Sequence, residues 1–96
     1  MKYPDDATLI ARGQYSTLTD ERRRLLRSLR DHAEATTENG RRILRVLEDV
    51  VFGAEQVELA AQHVAEARQI MTRIAELDTL RAELRSAAWG TQKEIE

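Results

Sequence analysis

The chain has 96 residues, of which 33% are charged, a formal net charge of −2 and no cysteine. This length allows at most one small domain, and the lack of cysteine excludes disulfides, thiol catalysis and cysteine-based zinc sites. The nearly balanced charge excludes a general electrostatic attraction to nucleic acid or to an anionic membrane.

The composition favours an all-α protein. Alanine, the strongest helix former, occurs thirteen times, against four glycines, one proline and 4% aromatic residues. A β protein of this size would need more turn residues and more β-branched or aromatic positions. Because no run of 18 apolar residues and no hydrophobic signal core occurs, the sequence predicts a cytoplasmic protein with no membrane partner. Arginine outnumbers lysine thirteen to two, which is typical of a GC-rich genome and suggests a bacterial or phage origin.

Residues 1–16 are predicted to form a short lead-in to the main body. Asp5 and Asp6 follow Pro4, and aspartate is favourable at the N-terminus of a helix. One or two helical turns would then end at Gly13, since glycine is the usual residue just beyond a helix. The alternative is a tail without fixed structure.

A first helix is predicted over about residues 18–37. Thr17 or Thr19 can cap its N-terminus, and the apolar residues that follow recur at helical spacing. They are Leu18, Leu25, Leu29 and Ala33.

A turn is predicted at residues 38–40, where the helical pattern stops. Asn39 and Gly40 form the strongest turn signal in the chain. Because neither flank alternates with period two, a turn between helices is favoured over a β-hairpin.

A second, long helix is predicted over about residues 41–89. Apolar residues recur along it mostly every three or four positions, close to the seven-residue repeat of a coiled coil. Gly53 interrupts this pattern at a cost of about 1 kcal/mol relative to alanine, which leaves open whether the helix is continuous, bent or broken there. Trp89 and Gly90 end the pattern, and residues 91–96 are predicted to be a frayed tail.

The order of charges supports a helical hairpin over residues 17–90. Residues 22–45 carry eight arginines and three carboxylates, a net charge of +5, whereas residues 46–67 carry five carboxylates and no basic residue, a net charge of −5. A reversal at the Asn-Gly pair would bring the two stretches together. The facing pairs are then Arg23 with Glu55 and Arg30 with Glu48. The predicted fold is all-α: an antiparallel hairpin with one long helix, kinked or continuous, assembled as a coiled-coil or four-helix-bundle-like dimer.

The unequal helix lengths point to an interface. The first helix would span roughly 30 Å and the second roughly 73 Å, so the shorter arm covers less than half of the longer one. Soluble proteins rarely leave such an apolar seam bare, so we expect a homo-oligomer, with a dimer favoured, or another protein partner. The predicted interface residues are Val57, Ala61, Val64, Met71, Ile74, Leu77, Leu84 and Trp89.

An alternative is nucleic-acid binding by the arginine-rich first helix. The contacts would be Arg22, Arg23, Arg24, Arg27 and Arg30, extended near the turn by Arg41, Arg42 and Arg45. The acidic stretch of the second helix would neutralise part of this patch, and no aromatic residues interleave with it for base stacking. A protein partner is therefore favoured over nucleic acid.

The two histidines, His32 and His63, are the residues that raise the question of a metal. Glu66 follows His63 by three positions, but this order is the reverse of the Glu-x-x-His motif of di-iron bundles, and no second copy of it occurs. No glycine-rich phosphate loop is present. The sequence predicts no metal, no cofactor and no catalytic residue. The predicted function is a non-enzymatic, self-associating interaction module of the adaptor, chaperone or inhibitor type.

Overall fold

A computed structural model describes residues 5–90 of the chain. Within them the chain forms two helices of 40 residues each, α1 (Asp6–Arg45) and α2 (Val50–Trp89), and no strand. The helices pack on one another as the predicted all-α helical hairpin. They are equal in length, so the expected mismatch between a short and a long arm is wrong. The predicted tail at 91–96 lies outside the described residues.

The start of α1 differs from the predicted lead-in at residues 1–16. The helix passes through Gly13 without interruption, and Asp5 caps it by accepting a 2.7 Å hydrogen bond from the Thr8 N–H. Hydrogen bonds from Thr8 hold the pKa of Asp5 below its ordinary value. Thr17 and Thr19, expected to be caps, instead donate their hydroxyls to main-chain carbonyls four residues back. One glycine costs a helix only about 1 kcal/mol, and packing against α2 outweighs that cost.

The chain reverses at residues 46–49 and not at the predicted turn at 38–40. Asn39 and Gly40 lie inside α1, and Asn39 is 5% exposed. The reversal uses backbone hydrogen bonds between residues three apart and ends at Asp49, whose carboxylate accepts a 3.0 Å hydrogen bond from the Phe52 N–H. A burial site for the Asn39 side chain therefore overrides the local turn preference of Asn-Gly.

This shift of the turn changes the register between the helices. Facing residues were expected to pair around the Asn-Gly sequence, but the observed partners lie much further along α2: His32 contacts His63, and Asn39 contacts Gln56. The predicted ion pairs of Arg23 with Glu55 and Arg30 with Glu48 are wrong. The two arginines pair within α1, with Asp20 at 3.5 Å and with Glu34 at 3.0 Å respectively.

The hairpin comprises two compact units. Among the described residues, unit 1 consists of 5–24 with 74–90, and unit 2 consists of 25–73. The buried hydrophobic side chains of the described chain all belong to unit 1: Ala11, Ile74, Leu77 and Ala88. In unit 2 the buried side chains are polar, Asn39 and Gln56. Unit 1 therefore has a small apolar core, whereas the most buried contact of unit 2 is a hydrogen bond.

Each helix contributes a seam with spacings of three and four, the seven-residue repeat of coiled coils. The buried or half-buried positions on α1 include Ala11, Tyr15, Leu18, Arg22, Leu25, Leu29, His32, Thr36, Asn39 and Ile43. Those on α2 include Gly53, Gln56, Ala60, His63, Ala67, Ile70, Ile74, Leu77, Arg81, Leu84 and Ala88. The predicted interface residues from Val57 to Met71 lie one position later than this seam, whereas Ile74, Leu77 and Leu84 belong to it.

Neither described helix carries a stretch apolar enough to cross a lipid bilayer. At its C-terminus α2 ends as predicted. Gly90 takes up the left-handed conformation with φ of 70°, and its N–H donates to the Ser86 carbonyl at 2.8 Å. Glycine adopts this conformation without the strain that a Cβ would add.

Candidate functional site

Two histidines and a glutamate meet in unit 2. His32 comes from α1, while His63 and Glu66 lie three positions apart on α2 and therefore share a helix face. The Nδ1 atoms of the two imidazoles are 2.9 Å apart, and the His32 Nε2 lies 2.9 Å from the Glu66 Oε2. We call this group the histidine cluster.

The contacts of the histidine cluster are satisfied by a particular placement of protons on the two imidazole rings. If the His32 Nε2–H donates to Glu66, the Nδ1 of a neutral His32 carries a lone pair. That lone pair can accept the Nδ1–H of His63 across the 2.9 Å contact. Two doubly protonated rings would instead turn N–H toward N–H. At least one of the two facing nitrogens therefore carries a lone pair, and an unprotonated imidazole nitrogen is the atom that binds metals.

The histidine cluster is partly open to solvent. The His32 side chain is 19% exposed and the Glu66 side chain 60% exposed. The ligand-type atoms of the three residues all lie within 4.8 Å of one another, close enough for one ion to contact them after small side-chain rotations. Thr36 steadies the helix beneath the cluster by donating its hydroxyl to the His32 carbonyl at 2.9 Å.

A buried amide pair lies one heptad further along the same seam. The Asn39 Nδ2 donates to the Gln56 Oε1 at 3.1 Å, and both residues are 5% exposed. Asn39 follows His32 by seven positions, and Gln56 precedes His63 by seven, so the two polar contacts stack along the hairpin. A buried polar pair fixes the register of a coiled coil more than it adds stability.

A polar network ties the two helices together in unit 1. Arg22 binds Asp78 at 2.8 Å, and Arg81 lies 3.5 Å from the same carboxylate. Arg81 also donates to the Thr19 hydroxyl at 3.1 Å and to the Tyr15 hydroxyl at 3.2 Å. The hydrogen bond from Arg22, aided by its charge and that of Arg81, holds the pKa of Asp78 below its ordinary value.

Trp89 packs within unit 1 but remains half exposed. Its ring meets Tyr15 edge to face, with centroids 5.0 Å apart, and the Arg12 guanidinium lies 5.7 Å from its centroid. Arg12 also donates to the Ala88 carbonyl at 2.9 Å. The indole keeps 51% of its surface exposed.

The other predicted interface residues separate into two groups. Ile74 and Leu77 are buried inside the chain and Leu84 is half buried. Val57, Ala61, Val64 and Met71 are exposed on α2. Val50 and Ala54, which precede them on α2, are also exposed. We call this set of residues the α2 stripe: Val50, Ala54, Val57, Ala61, Val64 and Met71.

An open apolar groove of about 690 Å³ runs along unit 1. It is lined by Ile10, Gly13, Gln14, Thr17, Leu18, Leu80, Glu83 and Leu84. A Cβ added at Gly13 would meet no atom within 4 Å, so the glycine leaves the floor of the groove open. We call this surface the unit 1 groove.

The arginines proposed for nucleic-acid contact are largely paired. Six of the eight lie within 4.0 Å of a carboxylate: Arg22, Arg23, Arg30, Arg41, Arg42 and Arg45. Arg24 and Arg27 are exposed. Glu38 alone faces three of the paired arginines, which lowers the positive potential of the α1 end near the turn.

The histidine cluster was not predicted from the sequence, because the turn between the helices was expected at residues 38–40 and lies at 46–49. The expected register put His32 far from His63. A signal was nevertheless present, because both helices carry polar residues seven positions apart where a coiled-coil seam is expected, His32 with Asn39 and Gln56 with His63.

Comparisons with protein families, with curated proteins and with solved structures find no match for the chain.

Proposed function

We propose that this chain is a small, self-associating helical module that acts by binding other proteins and not by catalysis. The observation that carries the proposal is the α2 stripe. It repeats apolar residues at coiled-coil spacing on the surface of α2, outside the seam that α2 uses against α1.

The α2 stripe has the composition of a helix-packing face. Its large members, Val50, Val57, Val64 and Met71, recur every seven residues and are 78%, 57%, 44% and 55% exposed. Ala54 and Ala61 lie in the first two gaps between them and permit close approach of a second helix, while the exposed Arg68 lies in the third gap. Unit 2 fully buries no large hydrophobic side chain among its described residues, and these four side chains lie exposed on its surface. A second copy of the chain would cover that surface.

The expected affinity follows from this exposure. Complete burial of one valine or methionine side chain contributes about 1.5–3 kcal/mol. Weighted by their exposed fractions, the four large side chains offer about 4–7 kcal/mol per copy and twice that in a two-fold dimer. Association itself costs about 4–15 kcal/mol. The two quantities are close, so we expect a dimer whose population depends on protein concentration.

A two-fold, antiparallel pairing whose axis passes between residues 60 and 61, both alanines, makes the α2 stripe self-complementary. Val57 would face Val64 of the second copy, and Val50 would face Met71. Larger side chains then meet at both ends, while alanine lies at the axis where the helices approach most closely.

Light scattering tests self-association. We expect the wild-type mass to rise with concentration through the micromolar range, and Val64→Asp to remain a monomer because it places a charge in the interface. Leu59→Asp is the matched control, since Leu59 is 42% exposed against 44% for Val64 and points about 140° away around the helix. A wild-type monomer at high micromolar concentration, or equal loss of mass in both variants, would refute the proposal.

Cysteine crosslinking tests the two-fold axis. The chain has no cysteine, so a single introduced thiol can pair only with its copy. Ala61→Cys is expected to oxidise rapidly to a disulfide-linked dimer. Gln62→Cys, one position along and about 100° away around the helix, is expected to crosslink much more slowly. Equal rates would place the axis elsewhere.

The unit 1 groove is the surface that we assign to a different protein. It uses none of the residues of the α2 stripe, its apolar lining suits one face of an amphipathic helix, and Gly13 leaves room for a large side chain. Leu80 and Leu84 would contact that helix.

A selected peptide tests this assignment. Helical peptides chosen for binding to the Val64→Asp variant are expected to be amphipathic and to lose binding to a chain that also carries Leu84→Glu. Leu59→Asp in the same background is the control that should retain binding. Peptides that bind all variants equally would show that the groove is not the docking surface.

A further inference from the structure

We propose that His32, His63 and Glu66 bind one divalent transition-metal ion of the zinc class, which clamps α1 to α2 within unit 2. Three observations carry this proposal: the residues come from both helices, their ligand atoms converge within 4.8 Å, and the site is open to solvent on the Glu66 side.

The distance between the imidazoles fits coordination of a shared ion. Zinc binds imidazole nitrogen at about 2.0–2.1 Å. At that bond length, the 2.9 Å between the Nδ1 atoms of His32 and His63 corresponds to an angle of about 90° at the metal. Tetrahedral coordination would need the two atoms to separate by only about 0.4 Å. The backbone already holds the two rings at this spacing.

Glu66 supplies the third ligand. Without an ion its carboxylate accepts the His32 Nε2–H at 2.9 Å. Because the side chain is 60% exposed, it can rotate toward an ion without disturbing the helix packing. Two imidazoles and one carboxylate are a common donor set for zinc and for neighbouring first-row metals, and water completes the coordination.

The donor set also selects the class of metal. Imidazole nitrogen suits Zn²⁺, Ni²⁺, Cu²⁺ and Co²⁺, whereas Mg²⁺ and Ca²⁺ require oxygen ligands. The location explains what an ion would contribute. The seam of unit 2 buries an amide pair and no large hydrophobic side chain, so a metal bridge between His32 and His63 would supply cross-helix stability that packing there does not.

The test uses the full-length chain without an affinity tag, because its two histidines are then the only imidazoles present. Calorimetric titration with ZnCl2 is expected to show one ion per chain with a micromolar or tighter Kd. Excess Zn²⁺ should raise Tm by at least about 5 °C, EDTA should reverse the rise, and MgCl2 at the same concentration should leave Tm unchanged.

Variants assign the ligands. His32→Gln and His63→Gln each keep a hydrogen-bonding side chain but are expected to abolish saturable Zn²⁺ binding. Glu66→Gln should weaken it by roughly 10–100-fold. Gln62→Ala, an exposed neighbour outside the histidine cluster, is the control that should bind like wild type.

Two further measurements keep the result decisive. Co²⁺ added to the wild-type chain should give visible absorption bands of a low-coordinate site, which requires no variant to fold. The Val64→Asp variant should still bind one Zn²⁺ per chain, which shows that the metal site does not require self-association. Absence of saturable Zn²⁺ binding below about 100 µM, or binding retained in both histidine variants, would overturn the assignment.

Discussion

The buried amide pair of Asn39 and Gln56 should show strong energetic coupling. Each side chain is 5% exposed, and the Asn39 Nδ2 donates to the Gln56 Oε1 at 3.1 Å. We consider three variants: Asn39→Leu, Gln56→Leu and the double substitution. A single substitution removes the hydrogen bond and leaves the other amide buried without its partner, whereas the double substitution leaves no amide there.

The size of the coupling can be worked from these contacts. A stranded buried amide costs about 1–3 kcal/mol, while a newly buried leucine side chain contributes about 1.5–3 kcal/mol. Each single variant is therefore expected to lie near wild-type stability or somewhat below it. The double variant gains two leucines and strands no amide, whereas each single variant strands one, so its stability should exceed the sum of the single effects by about 2–6 kcal/mol.

Urea denaturation followed by circular dichroism measures the coupling, with all four proteins at one concentration because self-association shifts apparent stability. Light scattering on the same samples tests specificity. The double variant should be the more stable protein but should populate additional oligomers, since the polar pair that fixed the register is gone. If the stability changes of the two single variants add up to that of the double variant within about 0.5 kcal/mol, the hydrogen bond does not form in solution.

Three further outcomes are expected. Arg22 lowers the pKa of Asp78 in the folded state. The stability that the ionised Asp78 contributes is therefore present above its unfolded-state pKa near 3.8 and is lost as pH falls through the lower folded-state pKa. Asp78→Asn lacks this carboxylate, so its Tm should fall less than that of wild type in melts between about pH 5 and pH 2. Gly40→Ala should raise Tm by about 4–8 °C, because a Cβ there meets no atom within 4 Å and the residue lies inside α1; a fall in Tm would favour a turn. Tyr15→Ala should red-shift the fluorescence of Trp89, the sole tryptophan. It should destabilise the chain by more than the aromatic pair alone contributes, about 0.5–1.5 kcal/mol, because the hydrogen bond from Arg81 is lost as well; an unchanged emission spectrum would contradict the edge-to-face contact.

The hairpin was predictable because its signals are spread over many residues. Helix-forming composition, apolar spacing of three and four, and the end of the pattern at Trp89 and Gly90 all agree with the structure. The turn was not predictable from the same rules, because it depended on two residues. Asn39 and Gly40 resemble a turn locally, yet the asparagine amide has a buried partner in Gln56, which no window of neighbouring sequence can show.

The error in the turn position then spread to the candidate site. Register between helices decides which side chains face one another, so one misplaced turn separated His32 from His63 and paired Arg30 with the wrong carboxylate. Exposure was predicted only in part. Val64 and Met71 were expected on an uncovered surface and are exposed, whereas Ile74 and Leu77, expected on the same surface, are buried inside the chain.

The fully buried side chains of unit 2 are polar, while a row of apolar side chains on its α2 surface is exposed, and this distribution links the two proposals. Its seam contains the amide pair and the histidine cluster, whereas its exposed face on α2 carries the α2 stripe. His63 and Val64 are adjacent in sequence, so an ion held by His63 would also restrict the orientation of the stripe. Restricting a surface before it associates lowers the entropic cost of association. Since that cost and the apolar gain are nearly equal here, a small restriction is enough to shift the dimer population.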